Sequence, residues 1–201
     1  MKIDEKFLAL FHQIAREQNY VFDEQDLQIL FEKELDLSFY RVYKKISELG
    51  LLKRFCRGIY VAAEFHLIDV NKKITEQSYV SFEFVLAKNS LIGSYSDKVL
   101  RSVIMNGRTK KYSYQDYRLE IFKISEELFF GFNKDQGYNI ATPEKAYLDC
   151  LYFYTKGLRF SFDIFSDVDL KLLNRPLLNK YLKNYKNKKF VTFVKGLLLH
   201  D

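Results

Sequence analysis

Proline and glycine are scarce in this chain, with 2 and 8 among 201 residues. So few leave little material for long flexible linkers. None of the glycines falls in a Walker loop or a dinucleotide-binding turn. Cysteine is scarcer still. Cys56 and Cys150 are far apart in apolar surroundings, which reads as two buried thiols of a reducing cytosol and not a disulfide framework. The three histidines, His12, His66 and His200, are scattered with no metal-ligand spacing and no nucleophile nearby. No uncharged apolar run approaches the roughly 18 residues of a membrane span. Charges interrupt what would be the apolar region of a signal peptide in MKIDEKFLALFHQIAREQ. The acid pairs Glu126-Glu127 and Asp167 with Asp169 read as surface carboxylates. These absences point to a cytoplasmic protein that is not an enzyme, with no catalytic residues, cofactor, metal or membrane partner.

Hydrophobic residues make up 48% of the chain and aromatic residues 17%, enough for a well-buried core in one large or two small domains. The net charge of +6 favours a polyanionic partner, and its distribution says more than its total. Residues 1–36 hold four Lys/Arg against nine Asp/Glu, whereas residues 37–62 hold six against one. Residues 63–140 are nearly balanced, and residues 141–201 hold eleven against six.

The sharpest swing in charge opens the stretch Leu37–Val61. Two helices precede it. The first spans about Asp4 to Gln18, with Phe7, Leu10, Phe11 and Ile14 on one stripe. The second follows an Asp23 cap, with Glu24 and Asp26 in its first turn and Leu27, Leu30 and Phe31 inward. A third helix starts near Leu37–Ser38 and turns Phe39, Val42, Tyr43, Ile46 and Leu49 inward. Arg41, Lys44 and Glu48 face the other way, flanked by Tyr40 and Lys45, and Gly50 stops the helix. A hairpin follows around Arg57-Gly58, carrying Lys53, Arg54 and Arg57. A basic helix followed by a basic hairpin is how a winged helix-turn-helix meets a DNA duplex, the hairpin reaching phosphates or the minor groove. The alternative for the charged face is simple solvation. The expected DNA-binding set is Ser38, Tyr40, Arg41, Lys44, Lys45, Lys53, Arg54 and Arg57, in a domain of residues 1–62.

Residues 63–201 read as a second, mixed α+β domain with terminal helices, so the fold class is α+β. Glu64–Gln77 crosses into it. Ser78–Lys88 suits a short helix by spacing and a strand by composition. Residues 91–132 look β-rich, with Tyr117, Leu119 and Ile121 alternating against Arg118 and Glu120, and Leu128–Phe132 is a further candidate strand. Lys110, Lys111, Tyr112 and Tyr114 have the residue types of a nucleic-acid surface, although a plain exposed hairpin suits them better. Thr142 caps a helix from Pro143 to about Thr155 that is apolar nearly all round, with Glu144, Lys145 and Asp149 as its polar members. Asp149 reads as a buried hydrogen-bonding carboxylate before a functional one. The tail from Phe165 reads as three short helices, broken near Arg175-Pro176 and Lys186–Lys188. Lys180, Lys183, Lys186, Lys188 and Lys189 form a basic strip along it, either phosphate-facing or solvated.

Three stretches of this chain are similar to the AbiEi-type antitoxins, the regulator half of type IV (abortive-infection) toxin–antitoxin pairs. They are Leu49-Gly-Leu-Leu-Lys-Arg-Phe-Cys-Arg-Gly-Ile-Tyr-Val61, Phe122-Lys-Ile-Ser-Glu-Glu-Leu-Phe-Phe-Gly131 and Ile140-Ala-Thr-Pro-Glu-Lys-Ala-Tyr-Leu-Asp-Cys-Leu-Tyr152. The last resembles the family's A-(S/T)-P-E-K-A-L-L-D-L-L-Y signature through Thr142, Pro143, Glu144, Lys145 and Asp149. The resemblance weakens at Lys88-Asn-Ser-Leu91 and after Phe165. It implies a repressor that binds repeats in its own promoter and counteracts a nucleotidyltransferase-like toxin without needing a stable complex. The alternative function is a winged-helix regulator whose C-terminal domain senses a ligand or protein, with no toxin partner.

Overall fold

The computed structural model describes residues 5–29 and 39–199, apart from the side chains of residue 5, residues 39–42 and residue 45. The chain is mixed α+β and forms two compact units. The first runs to Glu76 and takes in Tyr112–Tyr117, and the second comprises Gln77–Lys111 and the chain from Arg118 onward. Among the described residues, no helix is long and apolar enough to cross a membrane.

The first unit opens with α1 (Glu5–Glu17), β1 (Val21–Asp23) and α2 (Glu24–Gln28). It continues with α3 (Phe39–Glu48), β2 (Lys53–Cys56), β3 (Ile59–Val61) and α4 (Leu67–Ile74). On α1 the buried positions are Phe7, Phe11 and Ala15, one helical turn apart, while Leu10 and Ile14 lie at the margin of the stripe. These residues pack on Phe22, Leu27, Ile46, Leu52 and Tyr60. The Phe11 and Phe22 rings stack at 6.2 Å, and Tyr43 meets Tyr60 edge-on at 5.1 Å.

The second helix is capped more completely than the sequence implied. The Asp26 N–H donates to Asp23 Oδ1 at 2.9 Å, and the Asp23 N–H donates back to Asp26 Oδ2 at 2.8 Å, a reciprocal capping box. Leu27 is inward as expected, and the Leu30 and Phe31 assignments lie outside the described residues. Helix α3 ends at Gly50 (φ +72°). There the Gly50 N–H reaches Ser47 O at 3.0 Å and the Leu51 N–H reaches Ile46 O at 3.1 Å. Leu49, expected inward, is 55% exposed. It lies past the last helical residue, where the chain turns away, and Leu52 fills the core instead.

Two further features of this unit escape periodicity. The hairpin belongs to a three-stranded sheet of order β1-β3-β2, both pairings antiparallel. Strand β1 is only three residues long, too short to show an alternation. The segment after Val61 is also no mere crossover. Helix α4 belongs to the first unit and is tied to it by Lys73, whose ammonium lies 2.6 Å from Asp26 Oδ2, and by Asp69, which accepts from Asn19 Nδ2 at 3.0 Å.

The second unit contains β4 (Tyr79–Val80), α5 (Glu83–Lys88), β5 (Val99–Ile104), the start of β6 (Lys110–Tyr114) at Lys110 and Lys111, and β7 (Tyr117–Lys123) from Arg118. Then follow β8 (Phe132–Asp135), β9 (Tyr138–Ala141), α6 (Pro143–Tyr154), α7 (Arg175–Leu182) and α8 (Lys188–Leu199). The sheet order is β6-β7-β5-β4-β9-β8. Strand β4 pairs antiparallel with β5 and parallel with β9, and β5 runs parallel to β7 over six residue pairs. Both readings of Ser78–Lys88 hold in part, since the strand Tyr79–Val80 turns directly into α5. The proposed strand Leu128–Phe132 is corrected. Glu126–Leu128 is a 3-10 turn, and β8 begins only at Phe132. Its run of apolar side chains instead packs inward, with Phe129 5.0 Å from Phe132 and 5.2 Å from Tyr79.

Candidate functional site

Two places collect the residues that the sequence singled out. The first is α3 with the β2–β3 hairpin. Lys44 is exposed on α3, and Lys53, Arg54 and Arg57 are exposed on the hairpin. A bulge between Arg54 and Cys56 breaks the strict alternation of β2. Lys53 and Arg54 both reach solvent, while Phe55, within the bulge, is buried. Arg54 Nε donates to Cys56 O at 3.3 Å, which holds its guanidinium along the strand. Ser38 and the side chains of Tyr40, Arg41 and Lys45 lie outside the described residues.

Behind the hairpin, Phe55 and Phe65 meet at 5.9 Å, and Tyr114 closes on them at 5.5 and 6.1 Å. Tyr117 lies 4.7 Å from Phe65. Lys110, Lys111 and Ser113 are exposed, as a plain hairpin would have them, but Tyr112 and Tyr114 turn partly inward. Both are half-buried, and the Tyr114 ring packs against Phe55 and Phe65. Within the second unit Lys111 is taken up by Glu120, at 2.9 Å. Cys56 is only half-buried at the hairpin, whereas Cys150 is fully buried, and the two are not joined in a disulfide.

The second place is α6. Thr142 caps it by accepting from the Lys145 N–H at 3.3 Å, and Pro143 opens it. Glu144 does more than oppose the helix dipole. It is buried, and its Oε1 accepts at 2.9 Å from the N–H of Asn174, the residue that caps α7. One turn further on, Lys145 and Asp149 form an ion pair with neither side chain exposed. Asp149 Oδ2 accepts from Tyr79 Oη at 3.0 Å and from Ser81 Oγ at 2.8 Å. The Lys145 ammonium lies 5.0 to 5.9 Å from the ring centroids of Phe130, Tyr79 and Tyr185, and 3.5 Å from Tyr185 Oη.

Burial pulls Lys145 below its ordinary value and pushes Asp149 above its own, and each charge opposes the other's shift. Aromatic faces and two hydroxyls replace the lost water, as a buried pair requires. Asp149 is thus a buried hydrogen-bonding carboxylate. Sequence reasoning missed that Lys145 is equally buried, because a lysine in a helical first turn ordinarily reaches solvent.

The backbone beside this pair is strained. Phe82, between Ser81 and Glu83, has φ +61° and ψ −143°, a conformation that costs of order 1–3 kcal/mol outside glycine. It swings Glu83 inward, where Oε1 accepts from Arg101 and Oε2 has no hydrogen-bond partner among the described residues. Burial raises the Glu83 carboxyl, and the Arg101 guanidinium opposes that rise. Arg101 also donates to Glu120 Oε2 at 2.7 Å.

Comparison with models of known protein families gives no match, and comparison with curated proteins gives none either.

Proposed function

We propose that this protein is a DNA-binding repressor of its own operon and the antitoxin of a type IV pair. The first unit is read as a winged helix-turn-helix, with α3 as recognition helix and the β2–β3 hairpin as wing. The observation that carries this reading is the run of exposed Lys53, Arg54 and Arg57 on a hairpin immediately after α3, itself bearing exposed Lys44. The order α1-β1-α2-α3-β2-β3, closed by a β1-β3-β2 sheet, is also the connectivity that winged helices use. The antitoxin role rests on the resemblance of Thr142, Pro143, Glu144, Lys145 and Asp149 to the AbiEi-type signature. On this reading the second unit counteracts a nucleotidyltransferase-like toxin.

The DNA reading is tested by titrating the full chain into the duplex upstream of its own gene and into a scrambled duplex, across a range of salt. Specific binding should tighten as salt falls, with a log–log slope of roughly 0.9 for each phosphate contacted. Removing Lys53, Arg54 and Arg57 together should flatten the slope by about 3 on that scale. An unchanged slope and affinity would refute the interface. The antitoxin reading is tested by co-expression with the adjacent downstream gene, which should relieve a growth arrest that the neighbour causes alone.

A further inference from the structure

A cavity of about 400 Å³ opens in the second unit, within the size range of small-ligand sites, roughly 300–1,000 Å³. Its wall is aromatic. Tyr152, Tyr185 and Phe190 lie 4.9 to 5.9 Å apart, centroid to centroid. Tyr185 and Phe190 are buried, and Tyr152 is half-buried. Burial, reinforced by the nearby Asp149 charge, keeps the Tyr185 phenol protonated well above its ordinary range. Two exposed lysines stand at this wall. Lys156 Nζ lies 4.8 Å above the Tyr152 ring, and Lys186 pairs with Glu127. The surrounding sequence is one-signed, for residues 170–200 carry eight Lys/Arg and no Asp/Glu.

We propose that this cavity binds a nucleotide, the base lying against Tyr152 and the phosphates between Lys156 and Lys186. A lysine strip alone would be a solvated face, and an aromatic cluster alone would be core. Their meeting in one cavity selects a ligand that is flat at one end and anionic at the other. Lys156 covers the Tyr152 face as a planar ring would, and its exposed stem lets the ammonium swing from that face to a phosphate. Glu127 does not bar an anion. Its side chain is 53% exposed and that of Lys186 79%, so the pair is weakly held and a multiply charged phosphate displaces the carboxylate. Asn184, exposed at the same cavity, offers an amide to a base edge. The site is independent of the DNA-binding reading, which concerns the first unit.

The test is calorimetric titration of the full-length protein with ATP, GTP, CTP and UTP, with the matching nucleosides, with inorganic triphosphate, and with a 5′-phosphorylated tetranucleotide. Nucleotides should bind at least tenfold more tightly than nucleosides and than triphosphate. Lys156→Gln and Lys186→Gln, both surface changes that leave folding intact, should each weaken binding about tenfold, and Tyr152→Leu at least tenfold. Lys195→Gln, exposed outside the cavity, should leave binding unchanged. Tighter binding of the tetranucleotide, lost in the same variants, assigns the site to a strand end, and equal binding assigns it to free nucleotides. The proposal is overturned if no nucleotide binds at millimolar concentration. It is equally overturned if triphosphate binds as tightly as any nucleotide, or if Lys156→Gln and Lys186→Gln bind as the parent does. Promoter titration of the same variants shows whether an effect stays with this cavity.

Discussion

Lys145 and Asp149, one turn apart on α6, form an ion pair with both side chains entirely withdrawn from solvent. Desolvating two charges costs several kcal/mol each, and the aromatic faces around Lys145 and the hydroxyls of Tyr79 and Ser81 offset only part of that. How much the pair adds to stability is read from variants that remove one charge or both.

Breaking this pair from one side should be severe. Lys145→Met leaves a buried carboxylate without its cation and should cost about 3–5 kcal/mol. The double change Lys145→Met with Asp149→Leu should recover more than half of that loss, because no charge then remains buried. Urea denaturation of the parent, the single and the double variants measures both. A double variant no more stable than the single would show that the uncompensated carboxylate is not what makes the single change costly.

Gly131→Ala should destabilise more than Gly58→Ala, although both glycines have similar positive φ, +74° and +78°. A Cβ at Gly131 would lie 3.1 Å from Lys145 Cβ and 3.1 Å from Tyr181 Cε2, whereas one at Gly58 meets nothing within 4 Å among the described residues. The expected costs are about 1–3 kcal/mol at Gly131 from strain plus crowding, and about 1 kcal/mol at Gly58 from backbone strain alone. Equal losses in thermal denaturation would mean that the Lys145 stem yields without cost.

Asp26 serves α2 and α4 at once, closing the capping box with Asp23 and pairing with Lys73. Asp26→Ala should cost about 1–2 kcal/mol, through the lost acceptor for the Asp23 N–H together with the lost Lys73 pair. Lys73→Met, which removes only the partly exposed ion pair, should cost under about 1 kcal/mol. The two are compared in the same denaturation assay, and a larger effect of the lysine change would contradict the assignment.

Alkali should destabilise the fold for a nameable reason. Burial raises Tyr79 and Tyr185 well above the ordinary 10.0, and Cys150 well above 9.0. Above those ordinary values the unfolded chain releases protons that the folded chain keeps. Stability is therefore complete below pH 9 and falls as pH rises, by up to about 1.4 kcal/mol per pH unit for each group. Melting temperature followed from neutral pH to beyond 10 should show this decline. Tyr185→Phe, which removes one titrating group, should make it shallower.

The features legible in the sequence are the ones that neighbours along the chain decide. The Asp23 and Thr142 caps, the stop at Gly50, the turn at Gly58 and the extent of α6 each depend on residues within about four positions. The basic hairpin is likewise local, since charge and turn chemistry are written in the residues themselves. Tertiary structure alone decided that a three-residue β1 completes a sheet, that Tyr112–Tyr117 belong to the first unit, and that Leu49 turns outward while Lys145 turns in. The physical reason is that these outcomes depend on partners distant in sequence. Asp149 meets Tyr79 across 70 positions, and Asn19 meets Asp69 across 50. No local pattern encodes whether a charged side chain will find such company and leave water, and at Lys145 that company makes the difference between a surface lysine and the centre of the second unit.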